Sequence, residues 1–254
     1  MKTIILAGGR GTRLSEITKE IPKPLIKIGD KPIVHHIIDI YSKYKISEFI
    51  VALGYKADLI KKYFYDYNML SSDFKIDLSN GRSEVINSFA KKQVVSLIDT
   101  GINTLTGGRI KRLEKYIKNE TFLLTYGDAV SSVNISDLMK FHKDHGKLVT
   151  MTAIKKRSQF GVINSEDNKV INFAEKPEKS NDWINGGFFV IEPKFLEYLE
   201  NDETILEREP LENIAKIGEL MIYKHHGFWQ SMDSLKDFSE LSTVWIENNN
   251  SWPD

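Results

Sequence analysis

Through the first 155 residues short β-rich runs alternate with helical patterns, and that alternation leaves few folds open. "KTIILA" is followed by helical spacing over about Pro32 to Lys45, and "EFIVAL" by helical spacing over about Ala57 to Tyr67. "VVSLID" precedes a helix on which Ile110, Leu113 and Ile117 share one face; "TFLLTY" precedes another near Ile135 to His145, before the strand "LVTMTAI". Strands separated by helices are joined by crossovers and run parallel, so the chain reads as α/β, with a mostly parallel, Rossmann-like sheet flanked by helices. Between Phe160 and Pro193 the pattern changes to strand after strand, "FGVI", "KVINFAE" and "GGFFVI". This small β-rich subregion extends the sheet or forms an antiparallel layer beside it. A helix around Pro210 to Ile217, the strand "LMIYKH" and a long helix over about Leu235 to Asn248 complete the pattern.

The first strand breaks abruptly into "LAGGRGTRL". In an open α/β sheet ligands gather beyond the carboxyl ends of the strands, where residues 8–13 belong. Gly8, Gly9 and Gly11 permit positive φ and close approach of an anion to backbone N–H groups. Thr12 adds a hydroxyl, and Arg13 a charge able to pair with phosphate through two hydrogen bonds. The alternative is a tight turn with two exposed arginines, whose mutual repulsion would need compensation. The spacing fits neither G-x-G-x-x-G nor G-x-x-x-x-G-K-[ST], which disfavours an NAD-binding oxidoreductase. Ten residues further on, prolines on both sides of Lys23 in "PKPLIKIGDKP" hold the chain extended and aim that lysine.

Composition narrows the partners. The formal net charge is zero, so the molecule as a whole has no electrostatic reason to seek nucleic acid or membrane. Charge is uneven, however. Seven basic and three acidic residues lie between Met1 and Lys31, against one basic and five acidic between Asp233 and Asp254, which places any anion site near the N-terminus. The absence of cysteine excludes disulfides, thiolate zinc sites and thiol nucleophiles. No run approaches the roughly 18 apolar residues of a membrane span, and a cytoplasmic protein is expected.

"LAGGRGTRL" followed by "PKPLIKIGDKP" resembles the sugar nucleotidyltransferases. "YGDAV", "AEKP", "INGGFF" and "GFWQSMDSL" recur in that family's order, so the resemblance covers nearly the whole chain. "DTGINTLTGGR" and "NGGFFV" with "GFWQSMD" are similar to the members that use CTP. The resemblance implies one domain over 1–254, nucleotide-binding over about 1–155, and sugar-binding and C-terminal over about 156–254. It implies CTP and a sugar 1-phosphate, most simply glucose 1-phosphate, as substrates, Mg2+ as cofactor, and a CDP-sugar for surface polysaccharide as product.

By the same resemblance, Leu6, Ala7, Gly8, Gly9, Gly11, Thr12 and Arg13 cradle the triphosphate, and Lys23 meets the phosphates at the reacting centre. Asp128 and Asp233 match the two metal-binding aspartates. Taken alone, Asp233 would pass as a helix N-cap, with Ser231 and Ser234 as rivals. The resemblance also implies that Arg13, Lys23 and Asp128 carry catalysis. Thr104 and Arg109 belong to the loop that selects the base, because an arginine facing O2 and N3 with a carbonyl facing the amino group would prefer cytosine. Glu175, Lys176 and Asn185 match the sugar-phosphate side, where Gly186 and Gly187 would leave room for the ring. A homo-oligomer, in relatives a hexamer, is also implied. "GRSEV" at Gly81–Val85 and "FGVINSE" at Phe160–Glu166 depart from the expected pattern and keep open a CTP-dependent enzyme with another phosphorylated acceptor.

Other signals point away from chemistry. "DTG" at Asp99 occurs once, whereas an aspartic-protease site needs two carboxylates sharing a proton. His142 and His145, among Lys140, Lys143 and Asp144, read as a solvated helix face, and His225 and His226 point to opposite faces of a strand. "KKYFYDYN", with four aromatics, should bury Phe64 and Tyr67 and present the others to a core or subunit contact.

Overall fold

The structure is a computed structural model, and it describes residues 1–88, 91–117, 119–155, 162–166, 169–174 and 182–253. Strand β1 (Lys2–Leu6) leads through the one-turn helix α1 (Ser15–Thr18) to the short ladder of β2 (Lys27–Ile28) and β3 (Lys31–Pro32). Helix α2 (Ile33–Ser42), strand β4 (Glu48–Leu53) and helix α3 (Ala57–Leu70) follow, then a hairpin of β5 (Ser72–Ile76) and β6 (Ser83–Ser88). Next come β7 (Val94–Asp99), the short helices α4 (Thr106–Arg112) and α5 (Glu114–Ile117), β8 (Phe122–Tyr126), β9 (Ala129–Ser131), α6 (Ile135–His145) and β10 (Val149–Ile154). The antiparallel pair β11 (Val162–Glu166) and β12 (Lys169–Ala174) precedes β13 (Ile184–Ile191). Helix α7 (Glu209–Lys216), strands β14 (Leu220–His225) and β15 (Trp229–Ser231), and helix α8 (Leu235–Glu247) follow.

Seven strands form the central sheet in the order β14-β10-β13-β8-β1-β4-β7. The β1–β4, β1–β8, β4–β7 and β10–β14 pairs are parallel; β13 alone runs against its neighbours β8 and β10. The mostly parallel α/β sheet read from the sequence is therefore present. The β-rich subregion is not one layer: β13 is inserted into the middle of the sheet, and β11–β12 is a separate pair. The patterned helix over Ile110 to Ile117 breaks at Leu113 into α4 and α5, with all three apolar residues buried.

The core lies on both faces of β1 and its neighbours. Ile5 packs with α2, whose Ile33, Val34, Ile37, Ile38 and Tyr41 are fully buried, while Ile4 packs with Ile110, Leu113, Phe189 and Ile214 on the other face. Burying each such side chain is worth about 1.5–3 kcal/mol, which fixes the strand whose end carries the glycine loop. Because β1 has neighbours on both sides reached by crossovers in opposite directions, a crevice opens beyond its carboxyl end.

Candidate active site

That crevice is an open cleft of ≈ 380 Å³, lined by Leu6, Ala7, Gly8, Gly9, Gly11, Thr12, Arg13, Lys23, Thr104, Arg109, Asp128 and Asp233, together with Leu14, Pro24, Leu105, Thr106, Tyr126 and Gly127. The loop is strapped to the strands beside it: Ala7 N–H donates to Ala52 O (3.0 Å), Tyr55 N–H to Gly8 O (3.1 Å) and Gly127 N–H to Leu6 O (3.0 Å). Among the described residues no acceptor meets the N–H groups of Gly9, Arg10 or Gly11, which is the donor array an anion requires. Only Gly11 uses a positive φ, +62°, and its carbonyl accepts from Leu14 N–H and the Thr18 hydroxyl. Gly8 is small for another reason: the guanidinium of Arg109 occupies the space a Cβ would take, and it presses equally on Gly54. The two loop arginines have partners, Arg10 on Asn103 Oδ1 at 3.0 Å and Arg13 on Asp233 Oδ1 at 3.4 Å.

At one end of the cleft Lys23 joins two carboxylates. Its Nζ lies 2.7 Å from Asp128 Oδ2 and 3.0 Å from Asp233 Oδ1. Pro22 is extended, as its sequence context suggests, but Lys23–Leu25 then close a 3-10 turn rather than continuing extended; a proline at the start of a helical turn loses no hydrogen bond there. The Lys23 side chain is only 12% exposed, close enough to the loop that a Cβ on Gly11 would crowd its Cβ, and its ammonium faces the acids. Asp128 and Asp233 are brought together by a ladder the sequence did not announce. β9 pairs antiparallel with β15, Ala129 opposite Ser231, and Met232 N–H donates to Asp128 O. Asp233 is not the cap of α8. Ser234 holds that position in a capping box with Asp237, whose carboxylate also accepts from Asp233 N–H.

Burial pulls the Lys23 ammonium down, but Asp128 and Asp233 outweigh it and hold its pKa above the ordinary lysine value. Burial would likewise raise Asp233; the hydrogen bond and charge of Lys23, with Ser231 and Arg13, bring it below the usual carboxylate range. The result is a compact site of one cation and two anions, with acidic oxygen donors converging on positive charge. Such donors suit a hard cation such as Mg2+, whose remaining positions belong to substrate phosphate and water. Among the described residues no three acidic or histidine side chains gather as a metal cluster, so a metal held here would rest on this pair.

The base side departs from expectation in detail. Helix α4 begins at Thr106, so Arg109 lies within it, 4% exposed, rather than in the loop before it. Its Nη1 donates to Leu53 O, Thr100 Oγ1 and Gly101 O, and its Nη2 to Gly8 O. Burial lowers its pKa, with Asp99 opposing, though a guanidinium stays charged in any case. Thus Arg109 ties the glycine loop to the ends of β4 and β7 while forming part of the cleft wall. The adjacent glycines serve a strap rather than a ligand. A Cβ on Gly107 would lie 2.7 Å from Thr204 Cγ2, and one on Gly108 would lie 2.6 Å from Asp202 Cα. The strap accepts Leu105 N–H at Asp202 O and both glycine N–H groups at Thr204 O, which satisfies the first turn of α4 without a side-chain cap.

On the sugar side, Glu175 and Lys176 lie outside the described residues. Asn185 does not line the cleft itself; its Nδ2 donates to Tyr126 Oη (3.1 Å), and Tyr126 does line it. A bulge between β10 and β13, with Gly187 at φ +75° and Phe188 at φ +49°, sets this position. The room at the two glycines is used by the protein: a Cβ on Gly186 would meet Ile154 and one on Gly187 would meet Tyr126. Tyr126, Thr106 and Glu207 were missed by the sequence reading. Glu207 accepts from Tyr126 Oη at 2.6 Å and from Thr106 Oγ1 at 2.7 Å, and nothing in "ILEREP" marks it for that role.

His142 is not solvated. It is buried, bonded through Nδ1 to Thr150 Oγ1 (2.8 Å) and through Nε2 to Glu192 Oε1 (3.1 Å), because α6 turns this face toward β10. His225 meets Phe228 O, and His226 stacks edge-on against Trp183. Asp99 accepts from Gly101 N–H in a local turn. Phe64 packs on the core, Tyr63 and Tyr67 pack against His35, and Tyr65 is exposed. "GRSEV" falls in the β5–β6 hairpin, none of it in the cleft wall.

A glycine loop at the end of a central parallel strand, with a lysine and two aspartates beside it, is the equipment of a phosphate-transferring enzyme. Residues 2–245 match the model of the nucleotidyl transferase family, and the chain belongs to that family. It is 45% identical to a probable glucose-1-phosphate cytidylyltransferase of Bacillus subtilis, covering 99% of both chains. It is 44% identical to the glucose-1-phosphate cytidylyltransferase of Salmonella typhi, over 99% of this chain and 98% of that one. Among solved structures it shares the fold of a UDP-glucose pyrophosphorylase complexed with UDP-glucose, at a TM-score of 0.70, 19% identity and coverage of 97% and 98%. Family membership removes the oxidoreductase alternative.

Proposed function

We propose that the protein transfers a cytidylyl group from CTP to glucose 1-phosphate, giving CDP-glucose and pyrophosphate. The observation that carries this reading is the meeting of Lys23, Asp128 and Asp233 beside unpaired N–H groups of the glycine loop, in a chain 44–45% identical over 99% of its length to glucose-1-phosphate cytidylyltransferases. No protein nucleophile is needed, because the sugar phosphate oxygen attacks the α-phosphorus in line as pyrophosphate leaves, and positioning and charge neutralisation do the rest. Gly9 through Arg13 hold the triphosphate. Lys23 meets charge that develops at the reacting centre, and Asp128 and Asp233 would hold Mg2+, which supplies further neutralisation of the phosphates. Thr104 and Arg109 face the base, and Asn185, with Glu175 and Lys176, serves the sugar phosphate.

Offering CTP, UTP, dTTP, ATP and GTP separately with glucose 1-phosphate and magnesium, and measuring pyrophosphate, tests the reading. CTP should be fastest by a wide margin. Equal rates with UTP or dTTP refute the base assignment; activity with CTP only when another phosphorylated acceptor is supplied refutes the acceptor. A cytoplasmic location suits an enzyme making precursors for surface polysaccharide; among the described residues no helix is long and apolar enough to cross a membrane. Self-association has a surface available: the β5–β6 hairpin exposes Phe74, Ile76, Leu78, Val85 and Ile86, with Leu78 at 87%.

A further inference from the structure

The contacts around Glu207 run from the base side of the cleft to the sugar side. Its Oε2 accepts from the hydroxyl of Thr106, the first residue of α4, and its Oε1 accepts from Tyr126 Oη. Tyr126 Oη in turn accepts from Asn185 Nδ2 at 3.1 Å. The Asn185 amide has only one orientation here, because its Oδ1 accepts from Gly187 N–H at 2.8 Å. Of the two groups that meet at 2.6 Å the phenol is the one that carries a proton to give, because a carboxylate can only accept, so Tyr126 donates to Glu207. Each member thereby fixes the polarity of the next. Glu207 is itself exposed, but its neighbour Leu206 is fully buried and donates its N–H to Thr106 Oγ1, so the carboxylate is held by a rigid strap rather than by its own packing.

We propose that Glu207 is a positioning residue for the acceptor side of the cleft. By accepting from Tyr126, a wall residue of the cleft, it makes the phenol oxygen an acceptor toward Asn185, which stands behind that wall, and so fixes the orientation of both the phenol and the amide on the acceptor side. By accepting from Thr106 it ties the sugar strand β13 to the start of α4, next to the loop that carries Thr104. This deepens the reading of the cleft given above and rests on it. Loss of Glu207 should therefore be felt in acceptor binding before nucleotide binding. Glu207→Gln keeps the shape but cannot accept both hydrogen bonds on carboxylate oxygens; Glu207→Ala removes both.

The test compares wild type, Glu207→Gln, Glu207→Ala, Asn185→Ala and Tyr126→Phe with CTP and glucose 1-phosphate. Glu207→Ala should raise KM for glucose 1-phosphate roughly tenfold, with KM for CTP and kcat changed less than about threefold. Its effect should be non-additive with that of Asn185→Ala, and this coupling should vanish in the Tyr126→Phe background, since the two residues communicate only through the phenol. Equal rises in both KM values, or strictly additive effects, overturn the proposal. A second readout needs no substrate: the Asn185 side-chain amide resonances should shift in Glu207→Gln and stay fixed when the same change is made in Tyr126→Phe. Unmoved resonances in Glu207→Gln overturn the proposal even if the kinetics change. If wild type is inactive with this substrate pair, the substrate reading has failed by itself. The variants are then compared on the pair that wild type does turn over, and the resonance experiment stands unchanged.

Discussion

Removing Lys23 should destabilise the protein before it disables the chemistry, and the geometry sets the size. Asp128 Oδ2 and Asp233 Oδ1 both lie within 3.0 Å of the ammonium, so the two carboxylate oxygens are at most about 6 Å apart. In Lys23→Ala no cation bridges them, although Arg13 stays 3.4 Å from Asp233 Oδ1 and softens the repulsion. At an effective dielectric near 20, two like charges at that separation repel by about 3 kcal/mol. The two side chains are 30% and 34% exposed, and screening by solvent reduces the penalty to ~1–2 kcal/mol. For a chain of this size that lowers the melting temperature by about 3–6 °C. Asp233, held below the ordinary carboxylate range, contributes its stability above the unfolded value and loses it as pH falls through the folded one. Lys23, held above the ordinary lysine value, contributes until pH rises through its folded value. The deficit of Lys23→Ala should accordingly be flat between about pH 6 and 9 and shrink toward pH 3. Scanning fluorimetry in a chelator and in millimolar magnesium reads this out: magnesium should restore more stability to the variant than it adds to wild type. Turnover should stay reduced on the order of hundredfold or more whatever the magnesium concentration if, as proposed above, the charge lost is one that meets the transition state. Equal melting temperatures at pH 7 in chelator, or equal stabilisation of both proteins by magnesium, would refute the reasoning.

Three further outcomes are expected of the same site and its surroundings. Asp128→Asn and Asp233→Asn should each raise the magnesium needed for half-maximal rate, and the double variant should be much less impaired than the product of the single losses, as for residues acting together; strictly multiplicative losses in initial-rate assays would separate the two. Gly8→Ala drives a methyl into a guanidinium that four acceptors hold in place, and should cost about 1–3 kcal/mol in denaturant unfolding while raising KM for CTP more than KM for glucose 1-phosphate. Leu78→Glu combined with Ile86→Glu should lower the sedimenting mass without altering the circular dichroism spectrum, and an unchanged mass would remove the hairpin from any subunit contact.

What was legible in the sequence was whatever depends on local pattern. The strand into "GGRG", the helices over Ile33–Ser42 and Ile135–His145, and the parallel sheet all follow from periodicity and from glycine after an apolar run. Close approaches between distant segments were not legible. Gly8 and the Gly107–Gly108 pair look alike in the sequence, yet Gly8 makes room for Arg109 and the other two for a strap nearly a hundred residues away. His142 was misread because its neighbours Lys140 and Lys143 are charged, while its own position faces β10. Glu207 sits in an acidic, exposed stretch, and only the fold brings Tyr126 and Thr106 to it.

The small β9–β15 ladder also sets a timetable. Lys23 and Asp128 have both been made by residue 128, but Asp233 is placed by three residues whose partners were made about a hundred positions earlier. During synthesis, which delivers the N-terminal portion first, the glycine loop and the parallel strands β1, β4, β7 and β8 have all their pairing partners long before Trp229 exists. A nascent chain of that length holds a lysine and one aspartate with no second acid to close the group. The group of one lysine and two aspartates is thus completed only after every strand of the central sheet has been made, and a ribosome that stalls just before Trp229 leaves those strands around an incomplete group.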